Sequence, residues 1–205
     1  MQVKLHAVGK KFHHRWIFRD INLVFRSGGK YVITGRNGSG KSTLARLLSA
    51  SLRPSAGKII WEESGAVIDP DKVFRHISFD AHYIEPTKEL TLRELINFHH
   101  KFREFPKGIT TEELSRISGL NAHLDKYLRH FSSGMQQRAG LALSMISKSS
   151  LVLLDEPCTS LDELSRQWYR NMLGQYCSEK TVVVVSNSNT EEYTRDFTVL
   201  DLEGM

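Results

Sequence analysis

The run from Gly35 to Ser42 has the residue types and spacing of a loop that binds phosphate. Its sequence, GRNGSGKS, fits the pattern G-x-x-x-x-G-K-[ST]. Glycine lets the backbone approach a ligand closely, and the N-terminus of a following helix adds partial positive charge. We expect Lys41 to reach the β- and γ-phosphates of a nucleotide and the Ser42 hydroxyl to bind Mg²⁺. The other residues expected at the phosphates are Gly35, Asn37, Gly38, Ser39, Gly40 and Thr43.

A second chemical motif is the carboxylate pair Asp155-Glu156, which follows the apolar run Leu151–Leu154. A continuous apolar run of this length is typical of a strand that is buried on both faces. Ligands of open α/β folds bind at the carboxyl ends of such strands. Beside a phosphate loop, Asp155 is expected to help hold Mg²⁺ and Glu156 to polarise the water that attacks the γ-phosphate. The alternative is an acidic helix start that carries no chemistry.

The elements that must position these motifs are those of an α/β protein. Lys30–Thr34 reads as a strand and Ser42–Leu52 as a helix that Pro54 stops. A crossover helix over Asp162–Tyr176 joins two buried strands, Leu151–Leu154 and Thr181–Ser186, which predicts a parallel sheet. Residues 1–34 read as β-rich with a turn at Gly9–Lys11, and from about Thr91 to Ser147 the pattern is helical.

These elements predict a phosphate-loop NTPase core with a parallel sheet, an N-terminal antiparallel β part and a helical insert. The predicted boundaries are 1–84 and 148–205 for the nucleotide-binding α/β core and 85–147 for the helical subdomain. Ser132 or Ser133 is expected to cap the long helix of that subdomain.

Composition favours a cytoplasmic globular protein. The 205 residues are 40% hydrophobic and 25% charged, which is ordinary for such proteins. There is no apolar run of roughly 20 residues to span a membrane and no secretory signal at the N-terminus. The two cysteines, Cys158 and Cys177, suggest no disulfide framework and therefore a reducing compartment. The net charge of +5 is mild.

The stretch Phe131–Arg138, FSSGMQQR, carries a resemblance to a known family. It resembles the signature loop of the ATP-binding cassette (ABC) family, L-S-G-G-Q, with Phe131, Ser133 and Met135 replacing Leu, Gly and Gln. A serine and glycine N–H groups at a helix N-terminus form an anion site. The loop lies between the phosphate loop and the Asp-Glu strand, in the family's order, and the resemblance covers nearly the whole chain.

The resemblance implies roles for further residues. Phe12 matches the aromatic residue that stacks on adenine, with Trp16 as the alternative, and Ser160–Asp162 resembles the D-loop of the dimer interface. His82 stands where the family has the glutamine that senses the γ-phosphate. Asn187 stands where it has the switch histidine, and a neutral asparagine can donate a hydrogen bond to phosphate but cannot become a cation.

The resemblance also implies how the chain works. Such domains dimerise around two MgATP, so Ser132, Ser133 and Gly134 are expected to act on the nucleotide of the other subunit. The dimer is expected to be a homodimer or a pair of different cassettes, to lie in the cytoplasm at the inner face of the membrane, and to bind no nucleic acid. An integral-membrane permease is expected to dock on residues 82–105, with Phe98, Phe102 and Phe105 as candidate contacts; the alternative for each of these aromatic residues is packing in the core of the helical insert.

A lone short cassette resembles small exporter subunits, including the haem exporter type of cytochrome c maturation. Two alternatives stay open. One is a soluble ABC ATPase that does not transport. The other, suggested by His82 and Asn187, is a switch that dimerises with ATP and hydrolyses it weakly.

Overall fold

The computed structural model of the chain describes residues 1–81, 87–187 and 190–204. Its strands are β1 (Gln2–Phe12), β2 (Arg15–Phe25), β3 (Lys30–Thr34), β4 (Ala56–Glu63), β5 (Ala66–Ile68), β6 (Ile77–Ala81), β7 (Leu151–Asp155), β8 (Thr181–Val185) and β9 (Thr198–Asp201). Its α-helices are α1 (Lys41–Leu48), α2 (Leu92–Phe102), α3 (Thr111–Ile117), α4 (Ser133–Ile146) and α5 (Glu163–Tyr176). Over these described ranges, none of the helices has the length and apolar character needed to cross a bilayer.

The chain divides into two compact units. The first contains Met1–Phe79, Ser149–Glu156 and Glu179–Met205, and the second contains Asp80–Lys148 and Pro157–Ser178. This division differs from the predicted one in placing 157–178 with the helical segment, and the domain boundaries given above stay a prediction.

The strands form two sheets, as the sequence predicts. An antiparallel sheet has the order β2-β1-β4-β5, and a second sheet has the order β6-β7-β8-β3-β9. In the second sheet β7, β8, β3 and β9 run parallel. Every residue of β7 and β8 is buried, which explains their unbroken apolar sequences. Because the strands are parallel, the residues that follow β3, β7, β8 and β9 come to one edge of this sheet.

Helix α1 is fixed by the core of the first unit. Leu44, Leu47 and Leu48 are fully buried in a cluster that includes residues of both sheets, such as Phe25 and Leu153. Each buried leucine contributes about 2 kcal/mol of transfer free energy. The indole Nε1 of Trp61 also donates to the Leu48 carbonyl at 2.8 Å. The first residue of α1 is therefore held on a rigid element.

The structure corrects several predicted boundaries. The turn predicted at Gly9–Lys11 is wrong, because β1 continues to Phe12 through irregular pairing with β2 and β4, and the chain turns at His13-His14. Helix α1 ends at Leu48 rather than Leu52, and Ala50 has a left-handed φ of 57°. Strands β5 and β9 were not predicted.

The second unit contains helices with well-defined N-termini. Thr91 and Glu94 form a capping box at α2, Thr110 caps α3, and Asp162 caps α5 by accepting the Ser165 N–H at 2.8 Å. Hydrogen bonds from Ser165 keep the pKa of Asp162 below its usual value. The indole of Trp168 on α5 donates to the Ile117 carbonyl at 2.8 Å, which ties α5 to the end of α3.

Candidate nucleotide-binding and hydrolysis site

The phosphate loop leads into a helix whose N-terminus has no side-chain cap. The N-cap residue of α1 is Gly40, with φ 101°. The first N–H groups of a helix lack intrahelical partners, so an uncapped N-terminus suits an anion. Glycine is required at this position for two reasons, since a side chain is strained at that φ and a Cβ would clash with Ile17 of β2.

Lys41, the first residue of α1, is 5% exposed and turns back over the loop. Its ammonium donates to the carbonyl oxygens of Gly35 at 2.8 Å and Arg36 at 3.0 Å. A buried charge must be hydrogen-bonded, and here the loop backbone supplies the partners. The cation is thus held at the loop, where the sequence predicts it to meet phosphates.

The rest of the loop is shaped by positive φ angles and close approaches. Gly35 has φ 144° and Gly38 has φ 84°. A Cβ on Gly35 would lie 2.9 Å from the Ser39 hydroxyl oxygen. That hydroxyl is buried and makes no hydrogen bond to the residues that the structure describes. Buried hydroxyls nearly always have partners, so a phosphate oxygen fits here. Asn37 lies exposed in the turn, and Ser42 and Thr43 follow Lys41 in α1.

Glu156 and Asn187 meet at the carboxyl edge of the parallel sheet. Glu156 follows β7, and its N–H donates to the Val185 carbonyl at 2.9 Å. The Asn187 side-chain amide donates to the Glu156 carboxylate. Glu156 has a left-handed φ of 52°, which is uncommon for a residue other than glycine. The structure therefore brings together two residues that the sequence places 31 positions apart.

The predicted metal ligands have suitable chemistry. Asp155, the last residue of β7, is 1% exposed, and Ser42 lies in the first turn of α1. A carboxylate and a hydroxyl are the hard oxygen donors that Mg²⁺ prefers, and it keeps several waters and binds substrate phosphates besides. The donor set therefore fits Mg²⁺.

Of the two aromatic candidates for stacking on adenine, Phe12 is the more accessible. Its ring is 42% exposed, and the Lys10 ammonium lies 5.1 Å from the ring centroid. Trp16 is half-buried, since the Arg19 guanidinium lies 4.1 Å from its ring centroid and a Cβ on Gly9 would be 2.9 Å from its Cζ3. These neighbours leave less of the Trp16 ring exposed for stacking on adenine.

A pocket of about 420 Å³ in the first unit joins the loop to the ends of β8 and β9. Its lining residues are Thr34, Gly35, Arg36, Asn37, Asn187, Asp201 and Glu203. The Glu203 carboxylate accepts the Arg36 N–H at 3.2 Å. Sequence reasoning missed Asp201 and Glu203, because β9 has only four residues and no motif marks the turn after it.

The signature-like loop lies in the second unit and starts α4. The Ser132 hydroxyl accepts the Met135 N–H at 3.2 Å, so Ser132 rather than Ser133 is the cap. Ser133 is the first residue of the helix. A Cβ on Gly134 would lie 2.8 Å from the Ser160 carbonyl oxygen, so the glycine permits close approach to the segment that resembles the D-loop. His82 lies outside the described residues.

Comparison with known proteins shows which family the chain belongs to. A family model described as ABC transporter matches residues 18–159, which is more than half of the chain, and the chain therefore belongs to the ABC transporter family. The resemblance and the fold class predicted from the motifs are confirmed. The chain is an ATP-binding cassette of this family, in which nucleotide binding and ATP hydrolysis are general.

The relatives are ATP-binding proteins of transporters. The cytochrome c biogenesis ATP-binding export protein of Agrobacterium fabrum is 29% identical over 191 residues, which cover 91% of this chain and 88% of that protein. A lantibiotic transport ATP-binding protein of Streptococcus pyogenes is 26% identical over 219 residues, covering 98% and 87%. The dimeric post-hydrolysis structure of an ATP-binding cassette bound to ADP and Pi has a TM-score of 0.80 at 21% identity, covering 97% and 93% of the two chains, and it shares the fold.

Proposed function

We propose that this chain binds and hydrolyses MgATP as the cytoplasmic ATPase subunit of an ABC transporter, peripheral at the membrane and coupled to a separate permease. The observation that carries the proposal is the contact between Asn187 and Glu156 at the sheet edge to which β3 also delivers the phosphate loop. A carboxylate held at that edge can act on a water near a terminal phosphate. Membership of the ABC transporter family supports the same activity.

The residues have distinct roles in this proposal. The N–H groups of the loop and of α1 bind the phosphates, and Lys41 keeps its bond to the Gly35 carbonyl while its other N–H groups donate to phosphate oxygens. Glu156 accepts a proton from the attacking water, and Asn187 orients the carboxylate and can donate to the γ-phosphate. In-line phosphoryl transfer needs mainly positioning and charge neutralisation, which these groups supply.

Ser42 and Asp155 would hold Mg²⁺, whose charge neutralises the negative charge of the phosphates. The oxygen chemistry of these two side chains supports this assignment, since Mg²⁺ binds through hydroxyl, carboxylate and phosphate oxygens.

We infer that two cassettes form the working dimer. The uncapped N-terminus of α1 and the Ser132–Gly134 start of α4 are both helix N-termini, which favour anions, and they belong to different units of the chain. In the proposed dimer, Ser132, Ser133 and Gly134 of one cassette contact the nucleotide at Lys41 of the other. The contact of His82 with the γ-phosphate stays a prediction, as does the stacking of Phe12 on adenine.

The aromatic side chains of α2 support a docking surface for the permease. Phe98 is 54% exposed and Phe102 is 76% exposed, and their ring centroids lie 5.0 Å apart. Exposed apolar side chains in contact with each other are typical of an interaction surface. Phe105 does not belong to this surface, because it is buried and its ring stacks on those of His99 and His100.

The proposal does not extend to a particular cargo. One relative is named for export in cytochrome c biogenesis and another for lantibiotic transport, at similar identities. The haem exporter resemblance therefore stays a prediction, to be tested by identifying the membrane subunit that purifies with the chain. Recovery of the chain with ribosomes or a soluble scaffold instead would favour the alternative of an ABC ATPase that does not transport.

The test of hydrolysis compares the wild type with Glu156→Gln. Phosphate release and ATP-dependent dimerisation, measured by light scattering, are followed in both proteins. We expect the variant to lose turnover by about 10²-fold or more and to accumulate the ATP-bound dimer, because it keeps the shape of the side chain but loses the base. Glu179→Gln, an exposed change in the same unit, is the matched control and should behave as the wild type.

The second candidate function is an ATP-dependent dimerisation switch with weak hydrolysis. It is favoured by Asn187, which cannot shuttle protons. If the wild type dimerises with ATP and releases phosphate no faster than Glu156→Gln does, the switch is correct and the ATPase is not. If the wild type binds no ATP, both candidates are wrong.

A further inference from the structure

The turn after β9 contacts the first peptide group of the phosphate loop. Strand β9 pairs with β3 in parallel, and Asp201 lies opposite Thr34, the residue before Gly35. From the next turn, Leu202 lies close to the loop, since a Cβ on Gly35 would be 3.7 Å from the Leu202 Cβ. The Glu203 carboxylate accepts the Arg36 N–H at 3.2 Å.

This contact involves the same peptide group that holds Lys41. The Arg36 N–H and the Gly35 carbonyl belong to one peptide unit, and the Gly35 carbonyl oxygen accepts the Lys41 ammonium at 2.8 Å. An anion thus accepts from the N–H end of the unit while a cation donates to its carbonyl end. Charge-assisted hydrogen bonds are stronger than neutral ones, and bonds in a chain polarise each other. The plane of this peptide is therefore fixed from both ends.

Glu203 is itself held in place. Its N–H donates to the Asp201 carboxylate at 3.1 Å, within the short helical turn Leu202–Gly204. Because Leu202 is buried, that turn is anchored to the first unit. The carboxylate therefore reaches the loop from a fixed position.

We propose that Glu203 is a positioning residue for nucleotide binding, which orients the Gly35–Arg36 peptide and through it the Lys41 ammonium. The inference rests on the proposed function, since it concerns ATP binding at the same loop. A loop that is already ordered loses less conformational entropy when the nucleotide binds. The negative charge of Glu203 opposes phosphate only weakly, because the side chain is exposed and water screens it.

The test measures ATP affinity by calorimetry and steady-state turnover in three variants of the full chain. Glu203→Ala removes the acceptor, Glu203→Asp keeps the charge but shortens the side chain, and Glu203→Gln keeps an acceptor oxygen at full length. We expect the Kd for ATP to rise about fivefold in the first two variants, as for the loss of one hydrogen bond, and to stay within about twofold in the third. KM should follow Kd, with kcat within about twofold.

The matched control is Glu179→Ala, since Glu179 is exposed in the same unit and its side chain makes no hydrogen bond to residues within the described ranges. Unchanged affinity in both Glu203→Ala and Glu203→Asp would overturn the inference, as would Glu203→Gln binding as weakly as Glu203→Ala. These results leave ATP binding by the wild type intact, whereas a wild type that does not bind ATP would contradict the proposed function itself.

Discussion

Asp80 provides the most quantitative prediction from this structure. It lies near the end of β6, in the second unit, and its carboxylate packs against the backbone of α4 at Gly140, where a Cβ would clash with it. Burial raises the pKa of Asp80 from 3.8 to about 7. A carboxyl group with this pKa changes its charge at physiological pH. Its effect should therefore be measurable as a pH-dependent stability.

The sign of the effect follows from proton binding. Between the unfolded pKa near 3.8 and the folded pKa near 7, the folded chain keeps a proton that the unfolded chain has released, so stability falls as pH rises through this range. Each pKa unit corresponds to about 1.36 kcal/mol, which gives an upper bound of about 4 kcal/mol. Because the side chain keeps partial contact with water, we expect about 2–3 kcal/mol.

The measurement is urea unfolding of the wild type and Asp80→Asn. The variant removes the ionisable group and keeps its shape, so it should be more stable than the wild type by about 2–3 kcal/mol near pH 8 and by less than about 1 kcal/mol near pH 4. Asp20→Asn removes the same charge from an exposed position and controls for net charge. A stability difference between the wild type and Asp80→Asn that stays constant with pH would refute the reasoning.

Three further predictions concern other close contacts in the two units. Gly140→Ala should destabilise the wild type but stabilise an Asp80→Ala background by about 1 kcal/mol in urea unfolding, because alanine favours a helix once the clash is gone. In Asn187→His, ATP turnover should fall below about pH 6.5, because the imidazolium that forms there pairs with Glu156 and lowers its basicity. If the ratio of the variant's turnover to that of the wild type does not change with pH, this prediction is contradicted. Gly134→Ala should weaken ATP-dependent dimerisation about tenfold or more in light scattering, since its Cβ would lie 2.8 Å from a carbonyl oxygen, and unchanged dimerisation would show that the loop adapts.

The sequence predicts the elements whose signals are local. The phosphate loop is recognised because its glycines and Lys41 follow from the backbone geometry that a phosphate site requires. The strands β7 and β8 are recognised because burial on both faces demands unbroken apolar runs. The prediction of a turn at Gly9–Lys11 was wrong. Although these residue types are common in turns, pairing with β2 and β4 keeps the segment in β1, with irregular register.

The contacts that complete the site are not local, and no sequence pattern predicts them. The bond between Arg36 and Glu203 joins residues 167 positions apart, and it depends on β9 adding to the sheet beside β3. The bond between Asn187 and Glu156 depends on β7 and β8 being neighbours. The sequence singled out Glu156 and Asn187 but not their contact, whereas the Glu203 side chain becomes informative only after the strand order is known.

The backbone at Glu156 has a conformation whose cost in stability would accompany the proposed catalytic role. A left-handed φ of 52° at a residue with a side chain costs about 1 kcal/mol or more, and such strain occurs at functional sites as well as in turns. It persists here because the Glu156 N–H bonds to Val185 and the carboxylate to Asn187, which hold the residue from both sides. Glycine at this position would relieve the strain and remove the carboxylate. Glu156→Gly should therefore be at least as stable as Glu156→Ala in urea unfolding while both lose ATP turnover, and a less stable glycine variant would show that the left-handed conformation is not strained.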